Sequence, residues 1–139
     1  MTDLLNKGMP LIRYEVGDLS EWATAGCLCG RGLKTLTRVI GRQADCLMRA
    51  DGSLVAGVSL VERTLTAIPG IAQLQIVQET PKTVRAYAVG EAGNPPAWAD
   101  ELRKALVRDL GESIAVDVAP VSRIPQEANG KYRFAIRRF

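Results

Sequence analysis

The chain has 139 residues, of which 47% are apolar and 24% are charged, and its net charge is +3. This length fits one domain, or a small domain with part of a neighbour; the apolar content is sufficient for a buried core, and the charged fraction argues against disorder. The mild positive charge alone does not indicate a nucleic-acid-binding protein. No apolar run approaches the roughly 20 residues that span a bilayer, so the sequence predicts no membrane segment.

Histidine is absent from the sequence. Its absence excludes Ser/His/Asp and Cys/His nucleophilic catalysis within this chain, and any metal site that uses a histidine. The cysteines are Cys27, Cys29 and Cys46. Because their number is odd and no signal-peptide pattern precedes them, we expect a reducing, cytoplasmic location. Cys46 follows a charged segment on a predicted strand, and we expect it in the core.

The first forty residues predict two strands and a glycine-rich loop. Alternating side chains in PLIRYEVG predict a strand over 10–17, and the β-branched TLTRVI predicts another over 35–40 that ends at Gly41. Three glycines without a regular apolar period mark 19–34 as loop. One or two strands cannot build their own core, so residues 1–40 are interpreted as a β-rich remnant of a larger domain.

The rest of the chain predicts a complete small domain, residues 41–139. Asp51-Gly52 predicts a hairpin turn, because glycine accepts positive φ at no steric cost. Val58, Val61 and Leu65 predict one apolar face of the first helix, and Trp98, Leu102 and Leu106 define that of the second. The predicted elements are strands 46–49 and 53–56, helix 58–67, strands 72–78 and 83–89, helix 97–110, and strands 113–119 and 132–136. This order predicts an α+β fold: a small, mostly antiparallel sheet with two helices on one face.

Three segments carry candidate functional residues. In PLIRYEVGD, Asp18 follows a predicted strand and could accept hydrogen bonds from a diol. In RVIGRQAD, Arg42 offers a planar fork suited to phosphate or ribose oxygens. In IPQEANGKYR, Lys131 follows a glycine that lets backbone approach a ligand while the ammonium group reaches negative charge. Taken alone, each residue fits an ordinary surface position better than a functional one.

Together, the ordered series RYxxGD, RVxGR and Gly-Lys-x-Arg resembles the last third of the adenylate-forming (AMP-binding) enzymes. The stretches TDLLNKGMPLIRYEVGD, CLCGRGLKTLTRVIGR and IPGIAQLQIVQE are similar to the phenylacetate–CoA ligase branch, which includes the CapK-like proteins of capsular polysaccharide biosynthesis. The resemblance extends from Thr2 to Ile136. It implies the C-terminal region of an AMP-forming carboxylate–CoA ligase, whose small C-terminal domain swings on a hinge between two half-reactions.

The resemblance also implies residue roles and ligands. Asp18 would bind the ribose hydroxyls of ATP or AMP, Arg42 would lie beside the ribose or phosphate, and Lys131 would be the adenylation lysine. The full enzyme would use ATP with Mg²⁺, a carboxylic acid and coenzyme A. The partner would be an N-terminal AMP-binding domain, and the chain alone would be inactive and hold none of these ligands tightly. One departure concerns the hinge: where many relatives carry two acidic residues, this chain has Ala44 and Asp45.

Other interpretations stay open. Cys27 and Cys29 could supply half of a tetrahedral zinc site, although their spacing is tighter than that of the usual zinc knuckle and fits two reduced thiols in a loop better. The chain could instead be a stand-alone α+β module that binds a ligand or forms a homodimer. The basic C-terminus, with Lys131, Arg133, Arg137 and Arg138, fits a solvated strand end better than a nucleic-acid surface, because it lacks surface aromatics in a basic setting.

Overall fold

A computed structural model describes residues 2, 5, 7–91, 97–126 and 132–139. The chain divides into two compact units, Met1–Gln43 and Ala44–Phe139. The first unit contains strands β1 (Asp18–Trp22) and β2 (Leu36–Arg42), and a short 3-10 helix follows at Gln43–Asp45. The second unit contains β3 (Cys46–Met48), β4 (Leu54–Ala56), α1 (Gly57–Ala67), β5 (Ile71–Thr80), β6 (Thr83–Gly90), α2 (Trp98–Leu110), β7 (Ala115–Pro120) and β8 (Ala135–Arg137).

The first unit is an antiparallel pair, β1 with β2, and the predicted strand over 10–17 is wrong. Those residues are irregular, and the strand begins at Asp18, where we had expected it to end. Arg13 has a φ of 53° and Gly17 a φ of 73°, so the backbone leaves the extended region twice. The apolar side chains of the segment do not face a core within this unit: Ile12 is 73% exposed.

The second unit is built on a four-stranded sheet in the order β7-β6-β5-β8. Strands β5 and β6 form a long antiparallel hairpin, and both outer strands pair in parallel, β8 with β5 and β7 with β6. A separate antiparallel hairpin joins β3 and β4. Three of the five strand pairings in the described residues are therefore antiparallel, and the α+β fold class is confirmed.

One apolar core lies between the four-stranded sheet and the two helices. The sheet contributes Leu74 and Ile76 from β5, and α2 contributes the fully buried Leu102 and Leu106. Leu74 pairs with Ala88 and Ile76 with Ala86, so these side chains share the sheet face that both helices cover. The expected apolar face of α2 is confirmed. In the described residues, no helix is long and apolar enough to cross a bilayer.

The face of α1 differs from the prediction. Val58 was expected to point inward but is 37% exposed, whereas Leu60, Val61 and Thr64 are buried. Thr64 fits the interior because its hydroxyl donates to the carbonyl of Leu60 at 2.7 Å. The inward side of α1 is thus rotated by part of a turn relative to the apolar periodicity.

Candidate functional site

The two residues suggested for nucleotide binding, Asp18 and Arg42, are direct partners across the β1–β2 ladder. Asp18 opens β1 and Arg42 closes β2, and both are exposed. Residues opposite each other on antiparallel strands have Cβ atoms about 4.5–5.5 Å apart. An acidic acceptor and a planar cation therefore lie side by side at one end of the ladder.

The backbone around this pair depends on glycines. The amide of Gln43 donates to the carbonyl of Gly17 at 2.9 Å, which extends the ladder beyond the strand ends. Gly41 has a φ of 135°, in the region that favours glycine. Gly17 likewise has positive φ directly before Asp18. The conformation that presents the acidic and basic side chains is thus one that few other residues would adopt.

A second cross-strand pair fixes the register of the same ladder. Arg38 donates from Nε and Nη2 to the two carboxylate oxygens of Glu21 at 3.0 and 2.8 Å. The hydrogen bond from Arg38 lowers the pKa of Glu21, and the carboxylate raises the pKa of Arg38. The pair is exposed, so its role is to hold register more than to add stability.

Asp45, the remaining acidic residue of the expected hinge, binds Arg133 in the C-terminal segment. Arg133 Nη2 lies 2.9 Å from Asp45 Oδ1 and 2.8 Å from the carbonyl oxygen of Ala44, and Arg133 Nε lies 3.3 Å from the same carboxylate oxygen. The side chains of Arg133 and Asp45 are only 35% and 29% exposed. This contact joins the first residues of the second unit to its last strand region.

The backbone that follows Arg133 is also held. Gln75 Nε2 donates to the carbonyl of Arg133 at 2.7 Å, and the amide of Ile76 donates to the carbonyl of Phe134 at 2.9 Å. Gly57 approaches closely as well, because a Cβ there would collide with Ala135 and lie 2.6 Å from the carbonyl oxygen of Asp45. The start of α1, the residue Asp45 and strand β8 are therefore packed against one another.

Lys131, the expected adenylation lysine, lies outside the described residues, as does the rest of 127–131. The described chain on either side is packed onto the second unit: Ile124 is 6% exposed, and the Tyr132 ring packs against Phe134 in a tilted arrangement with ring centroids 4.9 Å apart. The predicted role of Lys131 stays a prediction. Sequence reasoning missed the Arg133–Asp45 contact, because Gly-Lys-x-Arg and Gly-Arg-x-x-Asp were considered only as separate motifs.

The candidate zinc ligands Cys27 and Cys29 are exposed in the loop between β1 and β2. The amide of Cys29 lies 3.5 Å from Cys27 Sγ, and hydrogen bonding from the Cys27 thiol and then from the Arg31 amide lowers the pKa of Cys29. Among the described residues, no three His, Cys, Asp or Glu side chains form a group that could hold a metal. The zinc site stays a prediction. Cys46 is fully buried, as expected, and burial raises its pKa.

Comparisons with known proteins place this geometry in a wider context. A phenylacetate–coenzyme A ligase from Thermus thermophilus is 26% identical over 159 aligned residues, which cover 95% of this chain and 34% of that protein. Two solved structures share the fold: a 2-hydroxyisobutyryl-CoA ligase with a bound acyl-AMP, and an O-succinylbenzoate coenzyme A synthetase from Bacillus subtilis with AMP. The first has a TM-score of 0.58 at 20% identity, over 93% of this chain and 29% of the ligase. The second has a TM-score of 0.54 at 22% identity, over 86% and 23%.

The chain thus spans about a third of the length of its Thermus thermophilus relative. The family model for the CapK C-terminal domain matches residues 47–138. That range holds the second unit from β3 to the C-terminal strand, including the anchored Arg133 and its partner Gln75. Since the match covers well over half of the chain, the protein belongs to the CapK C-terminal domain family.

Proposed function

We propose that this chain is the C-terminal part of an AMP-forming carboxylate–CoA ligase and acts together with a large AMP-binding domain. In this proposal, residues 41–139 are the small mobile domain and residues 1–40 are the end of the large one, and the small domain turns beyond Gln43, where the β1–β2 ladder has ended and the chain divides into its two units. Membership of the CapK C-terminal domain family supports the assignment, as does similarity to a protein named phenylacetate–coenzyme A ligase. Residues beyond this chain would complete the active site, so the chain alone would be inactive.

The observation that carries the proposal is the pairing of Asp18 with Arg42 across β1 and β2. The resemblance assigned both residues to one nucleotide, although they lie in separate motifs. A carboxylate can accept hydrogen bonds from two adjacent ribose hydroxyls, and a guanidinium group can donate to a phosphate from the neighbouring strand. Two exposed side chains at one register position are a suitable arrangement for one ribose-phosphate group.

The proposed reaction has two steps. First, a carboxylate oxygen of the acid attacks the α-phosphorus of ATP, an acyl-adenylate forms and pyrophosphate leaves. Lys131 would place its ammonium group beside the carboxylate and the α-phosphate, where negative charge is concentrated in the transition state. Second, the sulfur of coenzyme A attacks the acyl carbon, its proton passes to solvent, and AMP leaves. Asp18 would hold the ribose in both steps.

Magnesium and the triphosphate need further residues. Mg²⁺ in such sites is usually bound by one or two carboxylates together with the substrate phosphates. We assign those carboxylates and the phosphate-binding loop to the large domain, because the resemblance places ATP binding there. Bound Mg²⁺ would neutralise charge on pyrophosphate as it leaves.

The exposed apolar side chains of the first unit support a partner domain. Of the twelve large apolar residues that are exposed in the described chain, ten belong to this unit, among them Leu28, Leu5 and Leu33 at 106%, 90% and 76%. An apolar patch on a protein surface usually marks an interaction site, and the concentration of these side chains in one small unit is what we expect of a surface that a partner covers. The large domain is the partner we propose. A second copy of the chain is the alternative, and sedimentation of the 139-residue chain over a range of concentrations distinguishes the two: a concentration-independent monomer contradicts the dimer.

The proposal is tested by exchanging Lys131 for alanine in the enzyme that carries both domains. ATP–pyrophosphate exchange is measured with a panel of aryl and acyl acids that includes phenylacetate. We expect exchange to fall by about 10²–10³-fold, the loss typical of removing one charge-stabilising group, with folding unchanged. Lys82→Ala, which changes an exposed lysine in the β5–β6 turn, serves as the matched control. Unchanged exchange in Lys131→Ala would remove this lysine from the mechanism.

A further inference from the structure

We propose that Arg133 is a positioning residue, which anchors the segment carrying Lys131 to the start of the small domain through Asp45. The inference rests on the proposed function, since it assumes that Lys131 acts in adenylation. It adds a residue pair to that function: the hinge-side aspartate would control where the catalytic lysine is held. Neither residue needs to touch the nucleotide for this role.

The geometry of the pair favours anchoring over a simple surface contact. Arg133 donates to both the carboxylate of Asp45 and the carbonyl of Ala44, so its guanidinium group is fixed in one plane. The arginines that pair with Glu21, Asp109, Asp117, Asp100 and Glu79 are 45–76% exposed, compared with 35% for Arg133. Partial burial protects the interaction from solvent screening, which makes exposed pairs weak.

The short sequence separation between Arg133 and Lys131 means that fixing Arg133 also restricts the position of Lys131. Only Tyr132 separates it from Lys131 in the sequence, and two residues of extended chain span at most about 7 Å. Arg133 is held by its side chain to Asp45 and by its carbonyl to Gln75. A chain fixed at this point restricts the space that the neighbouring lysine can reach.

The consequence is specific to one half-reaction. Lys131 is proposed to stabilise charge during adenylation and to have no role in the attack of the thiol. Loss of the anchor should therefore slow adenylation and leave thioester formation from a supplied adenylate almost unchanged. A purely structural contact would behave differently, because damage to the small domain would slow both half-reactions together.

The test uses the two-domain enzyme with phenylacetate as the acid. Arg133→Ala, Arg133→Lys and Asp45→Asn are compared in ATP–pyrophosphate exchange and in coenzyme A thioester formation from synthetic phenylacetyl-adenylate. We expect Arg133→Ala to lower kcat for exchange by about 10–100-fold, since misplacement by 1 Å can cost about 10²-fold, and to change thioester formation by less than about threefold. Arg133→Lys should recover part of the exchange activity.

A matched control comes from the same C-terminal segment. Arg138 pairs with Glu79 at 3.1 Å, and its side chain is 59% exposed. Arg138→Gln removes an arginine–carboxylate pair between the tail and β5, at a position farther from Lys131 in the sequence. We expect it to leave both half-reactions unchanged. Thermal unfolding of each variant identifies any that fail to fold, and Asp45→Asn provides a second measurement because it keeps the side-chain volume.

The outcomes separate the two proposals. If Lys131→Ala loses exchange while Arg133→Ala and Asp45→Asn keep it, the anchoring role is wrong and the proposed function stands. Equal loss of both half-reactions in Arg133→Ala, or equal loss in Arg138→Gln, also overturns anchoring in favour of a structural contact. If the unmodified enzyme shows no exchange with any acid of the panel, or if Lys131→Ala exchanges normally, the proposed function fails and the anchoring role fails with it.

Discussion

Gln78 is the buried polar side chain on which we base the main stability prediction. It lies on β5, is fully buried, and both ends of its amide bind the backbone of Met48 on β3. Its Oε1 accepts from the Met48 amide at 2.8 Å, and its Nε2 donates to the Met48 carbonyl at 2.9 Å. Gln78 therefore satisfies the backbone N–H and C=O groups of Met48, as a neighbouring strand would. Replacing it with leucine keeps a similar volume and removes both hydrogen bonds.

The size of the destabilisation follows from the amide and carbonyl groups of Met48, which Gln78→Leu leaves without hydrogen-bond partners. A buried donor or acceptor that loses its partner costs about 1–3 kcal/mol. Because Met48 is only partly buried, water can reach its backbone in part, and the two groups together should cost about 2–4 kcal/mol. With a urea m-value of about 2 kcal/mol per M, the unfolding midpoint should fall by about 1–2 M.

The assay follows the fluorescence of Trp98, which is 5% exposed in the second unit. The chain has two tryptophans, so a Trp22→Phe background makes Trp98 the only reporter. Gln73→Leu, a half-buried position on the same strand, is the matched control. If Gln78→Leu unfolds within 0.5 kcal/mol of that control, a margin of about the spread of ordinary surface substitutions, the two hydrogen bonds are not what stabilises β3.

Two further predictions concern a tight contact and a reactive thiol. Gly57→Ala should destabilise the second unit by about 1–3 kcal/mol, because the new Cβ would lie 2.6 Å from the carbonyl of Asp45 and collide with β8. Chemical denaturation checks this, and Gly32→Ala, where a Cβ meets nothing within 4 Å, should show no loss. Cys29 should be alkylated faster than an ordinary thiol near pH 7.5, since hydrogen bonding from Cys27 lowers its pKa and populates the thiolate. Cys27→Ala should raise the pKa of Cys29 and slow its alkylation near neutral pH, but not at high pH, where the Cys29 thiol is ionised in both proteins. Identical pH–rate profiles of Cys29 in the two proteins would contradict this.

Elements whose conformation depends on a few neighbouring residues could be predicted from the sequence. Asp51-Gly52 predicted a hairpin, and the structure has one: Gly52 has a φ of 83°, and the Ser53 amide donates to Asp51 Oδ1 at 2.9 Å. The turn chemistry is contained within four residues, so it can be read from them. Helix α2 was equally readable, because its apolar residues recur at helical spacing and face a single sheet.

Contacts between distant segments decided what could not be predicted. The alternation in 10–17 predicted a strand, but alternation needs a core on one side, and this unit provides none for Ile12. In α1, the inward face is set by the close approach of Gly57 to Asp45 and Ala135 rather than by Val58. No periodicity connects these positions. The Arg133–Asp45 pair could not be predicted for the same reason, because it joins two motifs from the two ends of the second unit.

The position of Asp45 shows why these distant contacts bear on function. Its carbonyl oxygen lies against the start of α1, while its carboxylate binds Arg133. A single residue at the beginning of the second unit thereby holds both the first helix and the approach to the last strand. If the small domain turns as one body between half-reactions, as we propose, Arg133 turns together with Asp45. An anchor at the hinge end achieves this without a contact to the nucleotide, and it can act in this way only if Arg133 stays paired with Asp45 in both arrangements.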